Sequence, residues 1–233
     1  MTECIPASFA FQDLGSREVL ADFQGGRITS DAGALLLREV EARFGFLDQF
    51  ATCFTDHRDP DRIEHPLAAL LKQRVFGLCL GYEDLNDHDR LRHDALMAVL
   101  VGDTDPLGEE RTRPADRGKA LAGKSTLNRL ELTPVGADDD SRYKKIVAHM
   151  SRIESYLPEI YIRQHAPPPE RIVLDLDAPD DPIHGQQLGR FFPGYYGPSF
   201  SLPLSLFAGD PPLSAILRPP HSATPDRCPP RQP

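Results

Sequence analysis

A chain of 233 residues has room for one large domain or two small ones, and 40% hydrophobic with 26% charged residues is the balance of an ordinary globular protein. The net charge of −9 argues against nucleic-acid binding by bulk positive charge, but leaves room for a local basic patch, because phosphate contacts depend on where Lys and Arg lie. Cys4, Cys53, Cys79 and Cys228 contain no C-x-x-C pair, the N-terminus lacks the basic and apolar regions of a signal peptide, and no apolar run approaches the ~20 residues of a membrane span, so neither a zinc site nor a disulfide scaffold is supported and a reducing cytoplasm is expected.

Residues 1–24 read as an extended arm in which Phe9, Phe11, Val19, Leu20 and Phe23 are available for packing. Gly25-Gly26 marks a turn, and Thr29, Ser30 and Asp31 then offer helix N-cap oxygens. A helix is predicted over 32–44, with Leu36, Leu37, Val40 and Phe44 at helical spacing and Gly45 as its stop. Further helices are predicted at 47–54, 66–80, 84–101 and 141–163, with a short one at 121–132 and a loop over 102–123. Pro66 suits a first turn, and Leu67, Leu70, Leu71, Val75 and Leu78 share one apolar face. Residues 25–164 thus form an expected helical domain.

Pro167-Pro168-Pro169 places a linker at 165–170, and beyond it the period changes from about 3.6 to 2. Residues 172–177 (Ile-Val-Leu-Asp-Leu-Asp) read as a buried strand. Phe200, Leu202, Leu204 and Leu206 alternate with Ser199, Ser201, Pro203 and Ser205, as in a strand with one core face; Pro203 implies a bulge or a missing ladder bond. A turn at 209–212 leads to a third strand at 213–217. The fold class is therefore α+β, with a helical domain followed by a β-meander over 171–218. Residues 219–233, rich in Pro, Ser, Arg and Gln, read as a disordered tail.

The end of the first strand carries the chemistry: Asp175 and Asp177 close it, and Asp180, Asp181, His184 and Gly185 follow. A calcium loop starting at Asp175 would need Gly at its sixth position and Glu at its twelfth, where Asp180 and Gln186 stand. A haloacid-dehalogenase-like phosphatase also opens with an apolar strand and Asp-x-Asp, but needs a later Lys, and none follows Lys145. A sugar-nucleotide transferase would need a nucleotide-binding βαβ unit upstream. The remaining reading is a two-metal phosphoryl-transfer site, in which an acid at a strand tip bridges two cations roughly 4 Å apart.

The stretch from Leu174 to Gln187 (Leu-Asp-Leu-Asp-Ala-Pro-Asp-Asp-Pro-Ile-His-Gly-Gln-Gln) resembles the first-acid motif of bacterial insertion-sequence DDE transposases, most closely insertion-sequence family thirteen-eighty. Residues 189–197, 202–210, 21–34 and 81–89 resemble other segments of that family, so the likeness spans about 9 to 218. It implies a helical N-terminal domain followed by the first three strands of a ribonuclease-H-like fold. It also implies bacterial DNA transposition with Mg²⁺ or Mn²⁺, terminal inverted repeats as the DNA partner, and a homo-oligomer or a full-length transposase as a protein partner. Asp177 matches the first catalytic acid and metal ligand, with Asp175 as a further metal contact; Pro179 stands where the family has Thr. The second Asp and the Glu of the triad have no counterpart, since no Glu follows Glu170 and neither Asp210 nor Asp226 is suitably placed. The expectation is a truncated transposase portion, inactive alone; the alternative is a non-catalytic fragment that binds DNA or the transposase and interferes with transposition.

Lys144, Lys145, Arg190 and His184 are the expected DNA contacts, with Arg142 and Arg152 beside the first two on a late helix and Phe191, Phe192, Tyr195 and Tyr196 beside Arg190. Lys119, Lys124 and Arg129 make a separate basic cluster. His88 and His93 are five apart, which suits a solvated acidic helix face better than a metal pair. His57 and His65 are read as loop-pairing or capping residues, and Cys53 and Cys79 as core.

Overall fold

Apolar residues at alternate positions on either side of Gly15-Ser16 fold the N-terminal segment into an antiparallel hairpin, β1 (Phe9–Leu14) and β2 (Arg17–Ala21). Gly15 takes φ +63° in the turn, where L side chains are strained. The expected arm is thus a paired ribbon: Phe11 and Val19 pack on the core, whereas Phe9, Leu20 and Phe23 are exposed. The computed structural model describes residues 8–25, 28–165, 167, 169–179, 181–182, 200–201 and 203–217. The chain divides into two units, 1–149 and 150–233, so residues 150–164 and the prolines of the expected linker fall within the second.

In the first unit, a 3₁₀ turn at Ala32–Ala34 leads into α1 (Leu35–Phe44), which Gly45 ends in the left-handed conformation as expected. Asp31 stands at the N-cap of that turn but makes no side-chain cap bond; its carboxylate accepts from the Tyr82 hydroxyl instead. Then come α2 (Phe46–Phe50), β3 (Phe54–Asp56), α3 (Leu67–Cys79), α4 (His88–Leu91), α5 (Ala95–Val101), α6 (Lys124–Glu131) and β4 (Ile146–Ala148). The helix predicted over 84–101 is broken because Asp94 caps a new start, accepting from Leu96 N and Met97 N. The helix predicted from 141 does not begin there: residues 146–148 pair with β3 as β4.

One core cluster joins Leu35, Phe76, Leu91, Met97, Leu100 and Leu121; a second joins Leu70, Leu71, Ala122, Leu127, Leu130 and Ile146. Of the expected stripe of α1 only Leu37 packs against the core. Leu36 is 64% exposed and Val40 and Phe44 are also exposed, whereas Leu35, Arg38 and Glu41 are buried. The polar side chains are retained inside because both are hydrogen-bonded there: Arg38 donates to the carbonyls of Gln12 and Asp13 in β1, and Glu41 accepts from Leu47 N and Asp48 N at the start of α2. On α3 the buried face holds Leu70, Leu71, Gln73, Phe76 and Gly77, with Leu78 outside.

In the second unit, α7 (Met150–Gln164) packs on β9 (Pro212–Leu217). β5 (Asp175–Asp177), β8 (Pro203–Phe207) and β9 form an antiparallel sheet in the order β5-β8-β9; β6 (Asp181–Pro182) pairs with β7 (Phe200–Ser201). Pro203 opens β8 opposite Leu217 without a bulge there and, lacking an N–H, leaves a ladder bond unmade, while a register shift lies between Leu206 and Phe207. β5 is shorter than predicted because Asp175 pairs with Phe207, after which β8 turns away through 208–211 and leaves 172–174 without a strand partner among the described residues. Ile172, Val173, Leu174 and Leu176 are accordingly exposed, not buried. The mixture of helices and small sheets is α+β.

Candidate nucleic-acid interface and the acidic strand end

Two basic segments that are separate in sequence meet in the first unit. Leu127 and Leu130 of α6 and Ile146 of β4 are buried in the same apolar cluster, so the outward face of α6 is held beside the residues that enter β4. The result is an open groove of about 760 Å³ lined on one side by Lys124, Ser125, Asn128 and Arg129 and on another by Tyr143 and Lys144. The exposed Tyr143 ring lies under two guanidinium groups, with Arg142 Cζ 4.8 Å and Arg129 Cζ 5.5 Å from its centroid, both within cation–π reach.

Two of the groove's three carboxylates, Glu131 and Asp84, are engaged within the fold, and the third, Glu83, is exposed. Glu131 pairs with Arg74, which also donates to the carbonyls of Tyr82 and Glu83. Asp84 caps a 3₁₀ turn, and its bonds from Asn86 hold its carboxyl below the usual range. Lys124 is partly neutralised by Asp89 at 3.4 Å and donates to Asn86. Arg129, Arg142 and Lys144 make no ion pair among the described residues.

Of the expected DNA contacts, Lys144 therefore lines the groove. Lys145 turns away and donates to the Asp139 carbonyl, and neither it nor Lys144 is on a helix. Arg152 belongs to α7 in the second unit. Arg190, His184 and the aromatic residues 191, 192, 195 and 196 lie outside the described residues. In the sequence Arg142 and Arg129 read as members of two separate basic clusters and Tyr143 is not singled out; nothing in their spacing says that α6 and residues 142–144 come together.

Asp175 and Asp177 occupy alternate positions of β5, hence one face, and both are exposed. Asp177 pairs with Ser205, which pairs with Ala215, so small side chains neighbour it across the sheet. Among the described residues no group of three His, Cys, Asp or Glu side chains could hold a metal ion. Two acids on one strand do not make a two-cation clamp, and no chemical step through a metal follows from the described residues.

His57, His65 and His88 make contacts within the fold. His88 is fully buried, correcting the expected solvated face: Gln73 Nε2 donates to Ala122 O (2.7 Å) and reaches His88 Nδ1 at 3.1 Å, while Gln73 Oε1 accepts from Ala122 N. With Nδ1 accepting, the proton sits on His88 Nε2, which has no partner among the described residues and faces Gly77. His57 Nδ1 pairs with Asp139 (3.0 Å), and the Arg111 guanidinium lies 3.1 Å from His65 Nε2. Cys53 is buried as expected, but Cys79 is exposed at the end of α3.

A family model described as Transposase DDE domain group 1 matches residues 11–228, and the chain belongs to that family. No curated protein and no solved structure matches it. Membership makes this a transposase-class chain, and implies DNA as its partner and a divalent metal as the usual cofactor of the class. No helix among the described residues is long and apolar enough to cross a membrane.

Proposed function

We propose that this chain takes part in DNA transposition, with Asp177 as the first of the acids that serve phosphoryl transfer at element ends. The observation that carries the reading is the position of Asp177 at the end of β5, the first strand of an antiparallel β5-β8-β9 sheet, an order that supports a ribonuclease-H-like reading. The motif from Leu174 to Gln187, with its likeness to insertion-sequence family thirteen-eighty, supports the same residue. Asp175 shares the strand face of Asp177 and is the further carboxylate that a Mg²⁺ or Mn²⁺ ion would meet.

Asp175 and Asp177 have no third metal-ligating side chain grouped with them among the described residues, so the chain as given is expected to engage terminal inverted repeats without cutting them. The groove beside α6 favours a DNA-binding role that does not depend on cleavage. The test incubates the purified chain with a duplex bearing the inverted repeats that flank its own coding sequence, with Mg²⁺ or Mn²⁺, and reads binding and strand cleavage separately. Retained complexes without nicked product, unchanged in Asp177→Asn, are expected. Metal-dependent nicking would overturn the inactivity, and absence of any complex would overturn the DNA reading.

A further inference from the structure

We infer that the groove between α6 and residues 142–144 is a phosphodiester-backbone site for duplex DNA, in which Tyr143 organises a pair of arginines to meet consecutive phosphates. The inference deepens the DNA reading above and rests on it.

The physical argument begins with how the cations are held. Like charges brought together on a surface repel, and proteins usually offset this with nearby carboxylates. Here Arg129 and Arg142 share the face area of one aromatic ring instead, at 5.5 and 4.8 Å. An aromatic quadrupole attracts a guanidinium without using up its N–H donors, whereas a carboxylate would accept them. The forks of both arginines are left to donate to anionic oxygen, and the planar fork suits the bidentate geometry that phosphate offers. Lys144 adds a third cation without an ion pair among the described residues, and Ser125 and Asn128 line the same groove with neutral hydrogen-bonding groups.

Selectivity for the backbone over bases follows from the same arrangement. The Tyr143 ring, the one aromatic side chain among the described residues that line the groove, is engaged by two guanidinium groups, which compete with an unpaired base for its face. Charged forks without a stacking partner position a duplex and do not read its sequence. The ligand is therefore double-stranded DNA held by its phosphates. In a chain of net charge −9 such a patch must be local, and the burial of Leu127, Leu130 and Ile146 in one cluster makes it so.

The experiment uses the full chain and a fluorescent 20-base-pair duplex of arbitrary sequence, with affinity measured from low to moderate salt. The triple variant Arg129→Gln/Arg142→Gln/Lys144→Gln should bind at least about tenfold more weakly at low salt. The slope of log affinity against log salt should fall by about 0.9 for each phosphate that is no longer neutralised, roughly 2.7 for the three cations. Tyr143→Leu keeps every charge, so its slope should stay as in the parent while affinity drops several-fold, and Tyr143→Phe should restore it. All four side chains lie at the surface, and superimposable thermal melts confirm folding. A parent-like affinity and slope in the triple variant would overturn the site while leaving the DNA reading standing. Tighter binding of single strands than of duplex would overturn the backbone assignment. A parent chain that binds no duplex overturns the site and the DNA reading together.

Discussion

Gln73 shows how one buried side chain can hold two segments in register. Its amide exchanges two hydrogen bonds with the backbone of Ala122 and makes a third with His88. Gln73→Leu would leave a buried N–H, a buried carbonyl and an imidazole nitrogen unpaired, at about 1–3 kcal/mol each before relaxation. Loss of several kcal/mol is expected in urea unfolding, with the midpoint lowered at unchanged slope. Gly77 is tied to the same site, because a β-carbon there would lie 3.0 Å from His88 Cε1.

Acid lability is also set at this scale. Burial, with Arg111 and Arg58 adding, pushes His65 down to about 4, and burial with Arg74 lowers His88. Below the ordinary value of 6.5 the unfolded chain takes up protons on these imidazoles that the folded chain refuses. Their contribution is therefore fully present above pH 6.5 and is lost as pH falls from there toward about 4. Denaturation midpoints measured from pH 7.5 to 4.5 should fall through that window, and less steeply in His65→Gln. A flat profile in the parent would contradict the buried, neutral assignment.

At the scale of elements, α1 explains why periodicity misled. Its apolar positions Leu36, Val40 and Phe44 are the ones a helical wheel selects, yet the face turned inward carries Arg38 and Glu41. Glu41 caps α2 and lies 3.6 Å from Lys72, which also pairs with Asp48. Glu41→Ala should cost about 0.5–2 kcal/mol for the lost cap, with Lys72 still paired to Asp48, while Glu41→Gln should recover part of it. Thermal melts of both variants check this; an unchanged melting temperature in Glu41→Ala would show the cap to be idle. Gly108 gives a second test. It has φ +65° with the Lys119 and Ala120 nitrogens 2.7 Å from where a β-carbon would sit, so Gly108→Ala should lose at least ~1–3 kcal/mol in the same assay.

Across the whole molecule, most local signals were readable and long-range ones were not. Gly45 stops a helix as read from the sequence, and Gly102 opens the expected loop, whereas the Asp94 cap, equally local, was passed over. The prediction of a helix from residue 141 failed because β3, some ninety residues earlier, recruits Ile146–Ala148 into a sheet, and no local pattern announces a distant partner. The apolar run 172–174 reads as buried, but its pairing depends on where β8 turns. The candidate interface follows the same rule. Lys144 and the cluster of Lys124 and Arg129 were visible as charges, but their union around Tyr143 depends on Leu127, Leu130 and Ile146 meeting in one core. The acid motif at Asp175 and Asp177 was legible because its parts are contiguous.

The most direct test of the transposase reading is a competition experiment. The full chain is bound to a duplex carrying its flanking inverted repeat, then challenged with a shuffled duplex of equal length and composition at increasing salt. The groove predicts binding to both that weakens steeply with salt, and the transposase reading adds, from contacts outside the groove, a preference for the repeat of at least about tenfold. Binding to neither at low salt, or equal affinity for both at every salt concentration, would contradict a role at element ends.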